Sequence, residues 1–126
     1  GRVGADGQAR ELHIEQAAQV TRWDDTETAK VTPRRTDHGD YGETWEIYTS
    51  DYFRMERLEV TAPVDIPGTP DTFQVLFCAD GEAALQWDDG DVRLPAGTSC
   101  LVPASLPGYA LRPVSGAATL LKITVP

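Results

Sequence analysis

The pattern of apolar positions changes near residue 51. Residues 1–50 are polar and mixed. Within them Arg10 to Val20 predicts a short helix, with Ile14, Ala17, Ala18 and Val20 on one apolar face. Asp24 to His38 reads as a loop, being charged, aperiodic and interrupted by Pro33. From Asp51 onward short apolar runs are separated by turns. Tyr52 to Val60 alternates through Phe53, Met55, Leu58 and Val60 with one slip of register. Ala62 to Pro70 holds three prolines and a glycine and reads as a loop. Phe73 to Cys78 and Ala83 to Trp87 predict strands joined by a turn at Ala79 to Glu82. Asp88-Asp89-Gly90-Asp91 marks a hairpin, because Asp-Gly suits a turn that needs positive φ. Val92 with Leu94, Cys100 to Val102, Tyr109 to Leu111 and Ala118 to Val125 complete the series.

Roughly eight short strands with turn residues between them predict an all-β domain, a sandwich or small barrel, carrying one short N-terminal helix. The predicted division is a segment 1–50, with the helix at about 10–20 and a loop, followed by a barrel over 51–126. A short helix is marginal by itself. Docking of its apolar face on the strand-rich half is expected to bury Leu12 or Ile14.

The chain has 126 residues, enough to bury one core. No stretch reads as a transmembrane run or a signal peptide. The formal charge is −9, from 11 basic and 20 acidic residues, which argues against nucleic acid and anionic membrane as partners. Cys78 and Cys100 are the two cysteines, each beside apolar residues, and read as small buried hydrophobes. They do not form the paired Cys/His set of a structural zinc site. A reducing cytoplasm fits this usage best.

The turns carry the chemistry. Gly97, five residues, Pro103-Ala104-Ser105, two residues, Gly108 and then Arg112 have the spacing of the second cupin motif. Gln74 and Gly81 stand at the spacing of the Glu and the final Gly of the first. The chain therefore resembles a cupin, the double-stranded β-helix or jelly-roll barrel, over about residues 51–126. The resemblance implies a metal held by two His and a Glu from the first motif and a His from the second. Here Gln74 stands for that Glu and Gly108 for that His, while Gly68 to Thr72 contains no His. No metal is expected in this chain.

A narrower resemblance covers nearly the whole chain. Arg10 to Ala17, Tyr52-Phe53, Phe73 to Leu76, Gly81 to Ala83, Leu101 to Ser105 and Leu120 to Pro126 are similar to the short bacterial (type I) class of mannose-6-phosphate isomerases, or phosphomannose isomerases. That family is a bicupin. The resemblance implies that this chain is its C-terminal cupin. Zinc, or another divalent metal, is expected in an N-terminal cupin absent from the chain. Gly1-Arg2 is similar to the end of a Trp/Tyr-Gly-Arg sequence that follows the family's catalytic residues. On that likeness Arg2 is the one candidate for an active-site edge, and the chain is expected to be a fragment beginning after the catalytic core.

The remaining polar residues read as structural. His13 and Glu15 are two apart, so on a helix they cannot chelate one ion, and capping or packing is expected of His13. His38 reads as a solvated loop residue. Trp45 and Trp87 read as partial core, and Tyr109 as core filler one residue past Gly108. The expected function is a non-catalytic C-terminal cupin of an enzyme that interconverts mannose 6-phosphate and fructose 6-phosphate. Its expected partners are the N-terminal catalytic cupin and, for the whole enzyme, a sugar phosphate. The alternative is a stand-alone metal-free cupin serving as a sugar-binding or dimerisation module. A metal-independent isomerase using His and Tyr fits least, because neither His falls on a predicted strand.

Overall fold

The structure is a computed structural model that describes residues 3, 7–8, 12–24 and 30–125. It divides into two compact units, residues 1–30 and 31–126. The first contains helix α1, Ile14–Val20, with no buried residue. Leu12, Ile14 and Val20 are 78%, 69% and 83% exposed, so the burial expected of Leu12 or Ile14 is not found. His13 is the N-terminal flanking residue of α1 and makes no side-chain cap.

The second unit is built of ten strands in two antiparallel sheets. They are β1 (Arg34–Gly39), β2 (Gly42–Thr49), β3 (Arg54–Val60), β4 (Val64–Pro67), β5 (Gln74–Asp80), β6 (Glu82–Trp87), β7 (Gly90–Pro95), β8 (Ser99–Val102), β9 (Gly108–Pro113) and β10 (Ala118–Thr124). One sheet has the order β1-β2-β3-β10-β5-β8, the other β4-β9-β6-β7. The all-β expectation holds.

Alternation decides what fills the space between the sheets, since successive side chains on a strand point to opposite faces. Leu58 and Val60 on β3, Leu76 and Cys78 on β5, Ala83 and Leu85 on β6, Leu111 on β9 and Leu120 on β10 are all buried. They join one apolar cluster with Ile66, Leu94, Val102, Tyr109 and Ala118. Burying a side chain of this size contributes roughly 1.5–3 kcal/mol, so the core holds the two sheets together.

β1 and β4 lie where loops were expected, and β2 lies in a stretch whose pattern predicts no element. The compact unit begins at Val31 and not at Asp51, because β1 and β2 pair into the larger sheet. Their sequence hid this. β1 is an edge strand exposed at every position, and charge pairs replace apolar alternation. Arg35 meets Glu43 at 2.9 Å and Arg34 meets Glu46 at 3.1 Å across the β1–β2 ladder. β4 lies inside the proline-rich stretch. It is an edge strand, and its proline, Pro67, is the terminal residue, the position where a missing N–H is tolerated.

Two turns show why glycine is needed. Gly81, between β5 and β6, has φ +74°, and a Cβ there would lie 2.4 Å from the Ala117 carbonyl oxygen. The β6–β7 hairpin forms as expected but for another reason. Trp87 pairs with Gly90, so Asp88 and Asp89 make the turn, and Gly90 is not at positive φ. A Cβ on Gly90 would lie 3.0 Å from the Trp87 ring, so any side chain there would require the ring to give way.

Candidate interior site

The space between the sheets is apolar toward Val60 and Ala118 and polar toward Gln74. Strand register sets this gradient. Val60 pairs with Ala118, Leu58 with Leu120, Glu56 with Lys122, and Arg54 with Thr124 along β3 and β10. Thr124 pairs in turn with Gln74 on β5.

Gln74 is 2% exposed, and both ends of its amide are used. Its Nε2 donates to the Pro67 carbonyl at 3.1 Å. Its Oε1 accepts from the Tyr109 hydroxyl at 2.7 Å. Tyr109 is 4% exposed. Burial pushes its phenol well above the ordinary value of 10.0, with smaller contributions from Cys100 and Glu56, so it stays protonated at neutral pH and donates. It cannot serve there as a base. Gly108 is the preceding residue of β9, so strand alternation puts it on the opposite face from Tyr109. The interior contact with Gln74 thus comes from Tyr109, one residue past the matched motif position.

Beside this pair sits the interior carboxylate. Glu56 is 7% exposed and paired with Lys122 at 2.8 Å and Arg54 at 2.9 Å. Arg54 also reaches Glu46 at 3.5 Å. The carboxylate of Glu46 is held below the ordinary range by the Arg34 hydrogen bond first. A cleft of about 260 Å³ adjoins this cluster, lined by Asp37, Tyr41, Thr44, Glu56, Asp65 and Lys122 among others. The Tyr41 hydroxyl donates to Asp37, which lowers the carboxyl's pKa. The phenol of Tyr41 is raised, by burial first and by Asp37 second.

The other candidates stay apart. His13 and His38 are exposed, and His38 lies on strand β1, where no strand was expected. Among the described residues no three His, Cys, Asp or Glu converge as a metal site. Arg2 lies outside the described residues. Cys78 is buried and Cys100 half-buried, both as free thiols. Burial raises both pKa values, which disfavours the thiolate form. Trp45 is half-buried under the Arg57 guanidinium, 5.3 Å from the ring centroid, and Trp87 packs on the core. Sequence reasoning did not single out Glu56, Lys122 or Arg54.

The donor set does not suit a divalent metal. Such an ion needs several convergent oxygen or nitrogen donors. Gln74 has both polar atoms engaged, Gly108 has no side chain, and Glu56, the one buried carboxylate among the described residues, is paired with two cations.

Comparison with known proteins places the fold. Residues 43–124 match the family described as mannose-6-phosphate isomerase, cupin domain. The chain belongs to that family. The mannose 6-phosphate isomerase of Bacillus subtilis is similar in structure, with a TM-score of 0.75 at 17% identity, over 98% of this chain and 37% of that one. The phosphomannose isomerase of Salmonella typhimurium, as its E264A mutant, has a TM-score of 0.60 at 21% identity, over 75% of this chain and 22% of that one. A cupin-2 domain protein from Shewanella frigidimarina has a TM-score of 0.57 at 15% identity, over 88% of this chain and 99% of that one. At these identities the likeness shows a shared cupin fold. The chain spans little more than a third of the Bacillus subtilis enzyme. A search of curated proteins finds no match. Among the described residues no helix is long and apolar enough to cross a membrane.

Proposed function

We propose that this chain is the non-catalytic C-terminal cupin domain of a cytoplasmic mannose-6-phosphate isomerase. The whole enzyme interconverts mannose 6-phosphate and fructose 6-phosphate, and the divalent metal, zinc in the resembled family, belongs to its N-terminal cupin. One observation carries the non-catalytic reading. Where a cupin would present ligands, Gln74 and Tyr109 are buried and bonded to each other. A neutral amide and a protonated phenol supply neither a charged ligand nor a base at neutral pH. The family match and the chain's coverage of about a third of the Bacillus subtilis enzyme support its place within a longer protein.

The test has two measurements on the desalted 126-residue chain. Elemental analysis is expected to find no stoichiometric zinc, and a coupled assay with mannose 6-phosphate to read at background. One zinc per chain held in the barrel, or turnover surviving chelation and repeat purification, overturns the reading. The competing reading, a stand-alone sugar-binding cupin, draws on an open cleft of about 580 Å³ lined by Asp65, Gln86, Trp87 and Arg112. Saturable binding of a hexose or its phosphate to the chain alone, lost in Trp87→Ala, favours that alternative.

A further inference from the structure

The outward face of the six-stranded sheet is organised in rows. Register places Tyr48, Met55, Ile123, Val75 and Leu101 in one line across β2, β3, β10, β5 and β8. The neighbouring line holds Trp45, Arg57, Leu121, Phe77 and Ser99. The next, Glu43, Glu59, Thr119 and Asp80, is polar. The face is therefore a largely apolar patch, crossed by Arg57 and bounded on one side by a charged rim, the anatomy of a recognition surface. Tyr48 and Leu101, at its two ends, are 44% and 61% exposed. We propose that this patch is the docking surface for the catalytic cupin of the same polypeptide, an inference that rests on the function proposed above.

Size and charge select that occupant over a second copy of this chain. Five strands about 4.8 Å apart and two rows of outward residues make a patch on the order of 300 Å² in flat projection. A stable complex of separate proteins needs roughly 800 Å² from each partner, whereas domains tethered in one chain hold together on less. A second copy also brings a second formal charge of −9, and like charge opposes association.

The test compares Tyr48→Lys and Leu101→Lys in two settings. In the 126-residue chain Leu101 is 61% exposed, so Leu101→Lys is expected to keep the melting temperature within about 1 °C. Tyr48→Lys also loses the ring contact with Phe53, 5.4 Å between centroids, so its shift in the chain alone is the baseline subtracted from its shift in the longer protein. In the longer protein that carries this chain behind a catalytic cupin, each variant is expected to lower the melting temperature by about 3 °C or more beyond its shift in the chain alone. Equal shifts in both settings overturn the docking surface while leaving the proposed function standing. Concentration-dependent dimerisation of the chain, abolished by Leu101→Lys, also overturns it, by making a second copy the occupant. A full reading frame with no upstream cupin overturns the proposed function itself.

Discussion

Replacing Tyr109 by Phe removes one oxygen from the barrel interior and leaves the ring in place. That oxygen donates to Gln74 Oε1 at 2.7 Å, between residues that are 4% and 2% exposed. In Tyr109→Phe the amide oxygen is buried without its donor, at an expected cost of about 1–3 kcal/mol. Urea denaturation at neutral pH measures this directly. Gln74→Met alone strands the hydroxyl instead, so it is expected to cost a similar amount. The double variant removes donor and acceptor together, and its cost is expected to fall below the sum of the singles. A Tyr109→Phe variant within about 0.3 kcal/mol of the parent, or strict additivity, would refute the view that this bond closes the interior.

The same phenol gives the protein a pH signature. Its pKa is about 10.0 in the unfolded chain and raised in the fold. Its contribution is thus fully present below about pH 10 and is lost as pH rises from there toward the folded value. The parent is therefore expected to lose stability above pH 10 more steeply than Tyr109→Phe. Tyr41, also raised, remains in both proteins and cancels in the comparison.

Leu120→Ala, at a fully buried site between β3 and β5, is expected to cost about 2–5 kcal/mol in the same assay. Leu12→Ala, at a residue 78% exposed, is expected to change stability by less than about 0.5 kcal/mol, and a core-sized loss would show that the residue is buried in solution. Lys122→Met leaves the buried Glu56 with Arg54 alone and is expected to destabilise by about 1–3 kcal/mol, partly relieved by adding Glu56→Gln. Cys78, buried with a raised pKa, is expected to react with a thiol reagent only after denaturation, and fast labelling in the fold would contradict its placement.

Much of the barrel was legible because its inner faces are apolar at every second position. β5, β6, β8, β9 and β10 fall on the predicted runs to within a residue or two. β3 was found with the wrong phase at its start. Reading Phe53 and Met55 with Leu58 and Val60 required a slip of register, yet β3 pairs with β10 without interruption from Arg54 to Val60. Continuing the phase of Leu58 and Val60 backward points Glu56 and Arg54 inward. The imposed slip was the one signal of the interior charge cluster. β1 and β2 were illegible for the opposite reason: charge pairs such as Arg34–Glu46 and Arg35–Glu43 join them to each other, and charges carry no hydropathy period.

The charged layer also has a structural logic that the apolar layer cannot supply. Leu58, Leu120 and the other apolar side chains reward burial in any register that keeps the right face inward. A shift of β3 by two residues against β10 would preserve that face, since strand period is two. It would not preserve the ion pair. In the observed register Glu56 lies opposite Lys122, and Arg54 is its same-face neighbour along β3. Sliding β3 by two places Arg54 or Leu58 opposite Lys122, which sets a cation against a cation or leaves a charge without its partner. Either outcome inside a protein costs more than the pair contributes when intact. The polar end of this barrel therefore disfavours a slide of β3 against β10 that the apolar end would tolerate. A cupin whose motif positions hold Gln74 and Gly108 has no metal ligand set at those positions to do so.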